Sequence, residues 1–177
     1  MIYVFFAHGF EEIEAIVTLD ILRRAELDVQ SVGVGAKTVT GSHGITIHCD
    51  ISDREATPKG LNMIILPGGM PGTLNLEKSK IVQAFIDYTV KNDIWLGAIC
   101  AAPSILGHKG LLKGKKAVCF PGYEQELFEA EITDRRLEQD GKIITAKGAG
   151  VTQEFALKLV ECLLGKERAD ILRASLQ

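Results

Sequence analysis

The chain passes from an apolar run directly into small residues in the segment Ile94-Trp95-Leu96-Gly97-Ala98-Ile99-Cys100-Ala101-Ala102-Pro103. The run is short and lacks polar alternation, which is typical of a strand buried on both faces of a parallel sheet. The small residues that follow predict a helix beginning at once after the strand. Cys100 would then occupy a sharp strand-to-helix turn similar to a nucleophile elbow.

Two other apolar runs resemble this strand, at Ile2 to Ala7 and at Met63 to Leu66. Between the three runs lie segments with apolar residues at three- and four-residue spacing, Glu11 to Ala25 and Lys78 to Val90, which predict helices. Alternation of buried strands with helices indicates an α/β fold with a mainly parallel sheet.

Smaller elements complete the predicted chain, and no repeat or linker divides it, so residues 1–177 are expected to form a single domain. Glycine turns and apolar stripes predict a strand at Asp28 to Val34, a hairpin over Lys37 to His48, a second hairpin from Ile132 to Leu137 and Lys142 to Ala146, and a last helix from Val151 that stops at Gly165.

The composition excludes several classes of function. The net charge is -3 and no basic run is present, so nucleic acid is not expected as a partner. No apolar stretch reaches the length of a membrane helix, and the start of the sequence lacks the basic residues of a signal peptide. We therefore expect a cytoplasmic protein.

The cysteines and histidines do not form a metal or disulfide pattern. The four cysteines are far apart and make no C-x-x-C pair, which favours reduced thiols. The four histidines are not at helical ligand spacing, so neither a metal nor another cofactor is expected. These residues are Cys49, Cys100, Cys119, Cys162, His8, His43, His48 and His108.

Among the four thiols, Cys100 stands out because of its predicted place before a helix. A helix N-terminus favours a thiolate, and we expect the pKa of Cys100 to be lowered there. The alternative for any free cysteine is a buried, inert thiol, and that interpretation is preferred for the other three.

The ends of the three predicted strands carry chemically distinct groups. Ligands of open α/β sheets bind outside the carboxyl ends of the strands, which here lead to Glu14, to Gly68-Gly69 and to Cys100. The backbone N–H groups of Gly68, Gly69 and Ala101 are candidates to bind an oxyanion or carboxylate, although a double glycine is often only a turn.

Glu14 falls in the apolar sector of the first predicted helix. Burial would raise the pKa of its carboxyl group, so that the protonated acid donates a hydrogen bond to a thiolate. A glutamate in a first helical turn also has a purely structural explanation, namely its interaction with the helix dipole. Both explanations remain open from the sequence.

In their order and spacing, these motifs resemble the ThiJ/PfpI superfamily, in the branch of the parkinsonism-associated protein deglycase and bacterial YajL. The resemblance covers most of the chain. It rests on Gly9-Phe10-Glu11-Glu12-Ile13-Glu14-Ala15, Ile65-Leu66-Pro67-Gly68-Gly69, Ala98-Ile99-Cys100-Ala101-Ala102-Pro103 and Gly148-Ala149-Gly150.

The resemblance implies a flavodoxin-like three-layer sandwich of the class I glutamine amidotransferase type, usually as a homodimer. It also implies that Cys100 is the reactive cysteine, that Glu14 is its hydrogen-bonding acid, and that Gly69 and Ala101 supply oxyanion donors. The protease branch has a histidine after the cysteine, where this chain has Ala101. An arginine that reaches the other subunit's cysteine in relatives corresponds to His43, which we expect near Cys100 across the dimer, although a histidine at a hairpin tip is more often solvated.

Two functions follow from the resemblance. As a glutathione-independent glyoxalase or deglycase, the protein would act through Cys100 and Glu14 on methylglyoxal, glyoxal or their protein adducts. As a redox sensor or chaperone in oxidative stress, it would instead accumulate a sulfinate on Cys100. An amidase or hydrolase is a weaker third hypothesis.

Overall fold

The computed structural model describes residues 1–176, which build three layers around one seven-stranded sheet. The order across this sheet is β10-β11-β7-β6-β1-β2-β5. The strands are β1 (Ile2–Phe6), β2 (Val29–Gly33), β3 (Thr38–Thr40), β4 (Thr46–His48), β5 (Ile51–Ser52), β6 (Met63–Leu66), β7 (Trp95–Ile99), β8 (Lys116–Ala117), β9 (Glu131–Ile132), β10 (Leu137–Asp140) and β11 (Ile143–Ala146).

All neighbouring strands of the main sheet are parallel except β10, which runs antiparallel to β11. The chain first extends the sheet from β1 to β2 and β5, and then returns to the other side of β1 with β6, β7 and β11. The order therefore reverses between β1 and β6. Such a switch point opens a crevice at the carboxyl ends of the strands, where α/β proteins bind ligands.

Helices cover both faces of the sheet. A π-helical turn at Ile13–Val17 leads into α1 (Thr18–Arg24), followed by α2 (Gly72–Lys78), α3 (Lys80–Lys91), α4 (Pro103–His108), α5 (Thr152–Leu164) and α6 (Lys166–Ser175). Short 3₁₀ helices lie at Glu124–Glu126 and Ala149–Val151. The predicted flavodoxin-like α/β sandwich is confirmed.

Alternate residues of the central strands pack into two separate cores. In β1, Val4 and Phe6 face one core, formed with α1, α5 and α6, whereas Tyr3 and Phe5 face the other, formed with α3 and α4. These side chains are almost fully buried. Burial on both faces explains why the strands are continuous apolar runs, because burying each large side chain contributes roughly 1.5–3 kcal/mol.

Two predicted boundaries are wrong. The helix expected over Lys78 to Val90 forms as α3 but begins at Lys80, because Lys78 ends α2 and Ser79 has an extended backbone; the Ser79 hydroxyl accepts the N–H of Val82 at 3.3 Å as an N-cap. The strand expected at Ile132 to Leu137 begins at Leu137 and extends to Asp140, whereas Ile132 belongs to β9, which pairs with β8.

Other predicted elements are confirmed. The hairpin over Lys37 to His48 forms from β3 and β4, and the helix expected to stop at Gly165 is α5, which ends at Leu164 before Gly165 with φ +88°. It is not the last helix, because α6 follows and places Ala169 and Leu172 in the core. Within residues 1–176, no helix is both long and apolar enough to cross a membrane.

The close packing of β7 against α5 gives a test of the core. A Cβ atom added at Gly97 would lie 3.0 Å from Phe155 Cζ and 3.1 Å from Leu159 Cδ2, both on fully buried side chains. We expect Gly97→Ala to lower the free energy of unfolding by about 1–3 kcal/mol, because the tight core must shift. Urea unfolding measures this change. Gly150→Ala is the control, since its added methyl would meet nothing within 4 Å, and equal effects of the two substitutions would contradict the packing argument.

Candidate functional site

Cys100 lies on the sharp turn between β7 and α4, and its backbone is left-handed, with φ +65°. This conformation is uncommon for a residue with a side chain and persists only where the surrounding structure holds it. Here the Cys100 N–H donates to the carbonyl of Ala146 at 2.9 Å, and the Cys100 carbonyl accepts the N–H of Phe120 at 2.8 Å. The predicted elbow is therefore present and is fixed by strands and loops on both sides.

Glu14 reaches the site from the π-helical turn after β1. It is 1% exposed, as the apolar sector of the sequence pattern predicts. The π turn itself was not predicted, because its wider hydrogen-bonding spacing leaves no signature in the residue types. Such turns are rare and occur often at functional sites, where they redirect a side chain.

The carboxyl group of Glu14 and the thiol of Cys100 are neighbours, and each influences the pKa of the other. One carboxyl oxygen of Glu14, Oε2, accepts the N–H of Gly68 at 2.9 Å. The other oxygen, Oε1, is buried and has no hydrogen-bond partner among the described residues. Gly68 must lack a side chain for this arrangement, since a Cβ atom there would lie 2.5 Å from Cys100 Cβ and 2.7 Å from Glu14 Oε2.

The electrostatics of this pair differ in part from the prediction. Burial raises the pKa of Glu14 to about 7, as expected. For Cys100, however, burial is the largest influence and raises the pKa of the thiol, and the Glu14 carboxylate raises it further. The N–H groups of Ala101 and Gly69 act in the opposite direction but are weaker. The expectation that the helix terminus alone lowers this pKa is wrong, because desolvation outweighs it.

Together the two groups behave as one acid with two protons. The first proton leaves the pair near neutral pH, and the resulting single negative charge strongly opposes loss of the second. The remaining proton can reside on the carboxyl group or on the sulfur. A thiolate is thus available when Glu14 holds that proton.

The three predicted oxyanion donors divide into two roles. The N–H groups of Gly69 and Ala101 lie beside the Cys100 sulfur and favour its charged form. Gly68 was expected to bind a substrate oxygen, but its N–H is committed to Glu14.

An apolar wall borders the sulfur on its open side. A Cβ atom at Gly148 would lie 3.8 Å from Cys100 Sγ and 3.2 Å from Phe120 Cδ2, so Phe120 and Gly148 lie beside the site. They line a cleft of about 330 Å³ together with Arg136, Lys147 and Val151. Neither Phe120 nor Gly148 had a role predicted from the sequence, although Gly148 lies in the motif Gly148-Ala149-Gly150.

His43 is bound within its own chain to Glu12. Its Nδ1 and the buried Glu12 Oε2 are 2.8 Å apart, and its backbone N–H donates to Oε1 at 2.7 Å. The side chain of His43 is 70% exposed. The approach of His43 to Cys100 of a second subunit stays a prediction.

The fold also gathers a possible set of metal-binding groups that sequence spacing did not reveal. One donor atom each from Glu11, Glu12 and His43 lies within 4.8 Å of the others. These groups already bind one another or backbone N–H groups, as in the bond from Glu14 N–H to Glu11 Oε2. Hydrogen bonding within the chain therefore accounts for the cluster.

The other three cysteines differ from Cys100 in backbone geometry and not in the direction of their pKa. Burial raises the pKa of Cys49 and of Cys119 to about 11, and it also raises the pKa of the half-buried Cys162, as it does for Cys100. All three are free thiols. None of them has the left-handed backbone of Cys100, and their structural role stays a prediction.

Comparison with known proteins places this site in a family. The chain matches the DJ-1/PfpI family over residues 1–162. It is 34% identical to the glutathione-independent glyoxalase DJR-1.2 of Caenorhabditis elegans, covering 92% of this chain and 87% of that protein. The structure of oxidized DJ-1 from Toxoplasma gondii superposes with a TM-score of 0.95 at 33% identity, covering 99% of this chain and 96% of that one.

A further relative is longer than this chain. Protein DJ-1 homolog B of Arabidopsis thaliana is 40% identical over 166 residues, which are 92% of this chain and 38% of that protein. The chain thus spans about two fifths of the length of that relative. Since the match extends through both cores and the strand ends that carry Glu14 and Cys100, the chain belongs to the DJ-1/PfpI family.

Proposed function

We propose that this protein is a glutathione-independent glyoxalase that converts methylglyoxal or glyoxal to a hydroxy acid, and that it acts on adducts of these aldehydes with proteins by the same chemistry. The observation that carries the proposal is the buried Glu14 carboxyl in contact with Cys100, with one oxygen free of other partners. The name of the nematode relative supports the reaction class.

The reaction begins with addition of the Cys100 thiolate to the aldehyde carbon of methylglyoxal. Carbon and sulfur form a bond, the carbonyl π electrons move to oxygen, and a proton completes a hemithioacetal. The N–H groups of Gly69 and Ala101 stabilise the negative charge on that oxygen.

Isomerisation then moves hydrogen between adjacent carbons. Glu14 removes the proton from the hemithioacetal carbon and returns a proton to the neighbouring ketone carbon, while the hydroxyl proton passes to the former ketone oxygen, which yields a lactoyl thioester on Cys100. A carboxyl group with a pKa of about 7 suits both directions of this transfer at neutral pH. Water hydrolyses the thioester, which releases lactate and restores the thiol.

The surroundings of the pair favour a small substrate. Glu14 is buried and Cys100 is only partly exposed, so the reacting atoms are open on one side, toward Phe120 and Gly148. A two- or three-carbon dicarbonyl reaches the sulfur easily, whereas a protein adduct must present its carbonyl at the end of a flexible side chain.

The first test of this proposal is formation of lactate from methylglyoxal without glutathione. We expect Cys100→Ser to abolish lactate formation, because the nucleophile is lost, and Glu14→Gln to lower kcat by about 10²–10⁴-fold, because proton transfer is lost. Cys162→Ser is the matched control and should retain full activity. Lactate formation that survives in Cys100→Ser would refute the proposal.

A second test asks which atom holds the shared proton. We expect Glu14→Gln to move the rise in thiolate absorbance near 240 nm to higher pH, because an amide is a weaker donor to sulfur than a carboxylic acid and cannot accept the thiol proton. If Glu14 instead rests as a carboxylate beside a neutral thiol, removal of its charge would move the rise to lower pH. The sign of the shift therefore decides between the two states.

A redox sensor is the second candidate function. The same donors that point at sulfur, together with protonated Glu14, would stabilise a sulfinate formed from Cys100 by a peroxide. That the related Toxoplasma protein was observed in an oxidized form favours this alternative. Mass spectrometry after peroxide treatment distinguishes the functions: a stable gain of two oxygens on Cys100, with no lactate formed by the untreated protein, would support a sensor alone.

We further propose that residues 1–177 act as one domain and form a homodimer in the cytoplasm. Both cores pack on the same sheet, and free thiols persist in a reducing compartment. Ile13 and Ile45 are each 51% exposed and lie on either side of Glu12, whose carboxylate accepts the Ile45 N–H. This apolar surface is suited to burial against a second copy.

The dimer is tested by light scattering on Ile45→Glu. We expect its mass to be half that of the unmodified protein at equal concentration, because a charge is costly to bury in an interface. Ile171→Glu is the control, since Ile171 is 55% exposed on α6, at a different surface, and the substitution should leave the dimer intact. A monomeric unmodified protein, or equal masses for all three proteins, would contradict the proposed interface.

A further inference from the structure

Glu11 is the one acidic residue that connects the surface hairpin to the buried pair of Glu14 and Cys100. Its side chain is 14% exposed, and its Oε2 accepts the Glu14 N–H at 2.7 Å. Its own N–H donates to the carbonyl of Gly68 at 2.9 Å. Glu11 thus connects the π turn that carries Glu14 to the loop at Gly68-Gly69. In that loop the N–H of Gly68 binds Glu14, and the N–H of Gly69 lies beside Cys100.

The hydrogen bond from the Glu14 N–H to Glu11 pairs a backbone donor at the start of the π turn. The first N–H groups of a helix have no partner within the helix, and an acidic side chain is a favourable acceptor at that position. Because this N–H belongs to Glu14 itself, the Glu11 carboxylate fixes the backbone from which the Glu14 side chain enters the site.

The charge of Glu11 acts on the same pair. It is the acidic group beside Glu14, and its charge helps to raise the pKa of the Glu14 carboxyl. On its outer side, Glu11 Oε1 lies 4.0 Å from His43 Nδ1, and the contacts of His43 with Glu12 and Glu11 raise the pKa of the imidazole. The ionisable groups around this path are Cys100, Glu14, Glu11, Glu12 and His43.

We propose that Glu11 is a positioning residue for Cys100 and Glu14: its carboxylate, which lies between the Glu14 N–H and the His43 imidazole, holds the backbone of Glu14, and its negative charge sets how readily the shared proton leaves the pair. The effect of Glu11 on catalysis rests on the proposed function. In this proposal His43 acts on Glu11 within its own chain, which is separate from its predicted approach to Cys100 of a second subunit.

Glu11→Gln and Glu11→Ala separate the two parts of this role. Glutamine keeps an oxygen that accepts the Glu14 N–H but removes the charge, whereas alanine removes both. The measurement is the pH dependence of Cys100 alkylation by iodoacetamide, followed by mass spectrometry of the Cys100 peptide. It reports proton loss from the pair without requiring turnover.

We expect Glu11→Gln to lower the midpoint of this pH profile by about 0.5–1 unit with an unchanged rate at high pH, because a nearby negative charge is gone. Glu11→Ala should lower the midpoint and also reduce the high-pH rate, since Glu14 is no longer held. His43→Gln should raise the midpoint by a smaller amount, because the positive charge that the contacts with Glu12 and Glu11 stabilise on the imidazole is lost. Glu26→Gln, at an exposed position beyond α1, is the control and should leave the profile unchanged.

An unchanged midpoint in Glu11→Gln would overturn this proposal, as would a shift of the same sign in Glu11→Gln and His43→Gln. Lactate formation is measured on the same variants, so that the two proposals fail separately. Absence of lactate together with the expected shifts refutes the glyoxalase and leaves the role of Glu11 intact. Lactate formation together with unchanged midpoints refutes the role of Glu11 and leaves the glyoxalase proposal intact.

Discussion

The contact between the Glu14 carboxyl and the Cys100 sulfur is the constraint on which the rest of the site depends. Two acidic groups, a carboxyl and a thiol, are buried side by side, and desolvation raises the pKa of both. After one proton leaves near neutral pH, the pair carries one charge and one proton between the two groups. Its neighbours serve that state: Gly68 binds the carboxyl group, while Gly69 and Ala101 direct their N–H groups at the sulfur.

Much of this arrangement could be predicted from the sequence because it follows from burial. Continuous apolar runs identified the central strands, and the rule for strand ends brought Glu14 and Cys100 to one place. What could not be predicted depends on backbone geometry that residue types do not encode. The π turn under Glu14 is one example, and the assignment of the Gly68 N–H to Glu14 is another. The break at Ser79 had a visible signal in its capping hydroxyl.

The pKa of Cys100 shows where a local rule was insufficient. A thiol before a helix is expected to ionise easily, but α4 has six residues and Cys100 is largely enclosed. The favourable donors are a few N–H groups, and the opposing influences are desolvation and an adjacent carboxylate. The Glu14 carboxylate opposes the formation of a thiolate, whereas protonated Glu14 can donate a hydrogen bond to it. Protonation of Glu14 therefore reverses its influence on the pKa of Cys100. Reactivity in this site is therefore a property of the pair, and not of the cysteine alone.

Catalysis and oxidation make different demands on that pair. A glyoxalase needs the shared proton to move away from Glu14 and return within each turnover, so a pKa near 7 is an advantage. A sulfinate is a permanent anion, which requires Glu14 to keep its proton as a hydrogen-bond donor. Because repulsion by an adjacent anion raises the pKa of a buried carboxyl group further, oxidation itself would hold that proton on Glu14. The same burial that permits proton transfer in the reduced protein would thus end it in the oxidized one, and the two functions would exclude each other within a single molecule at a given time.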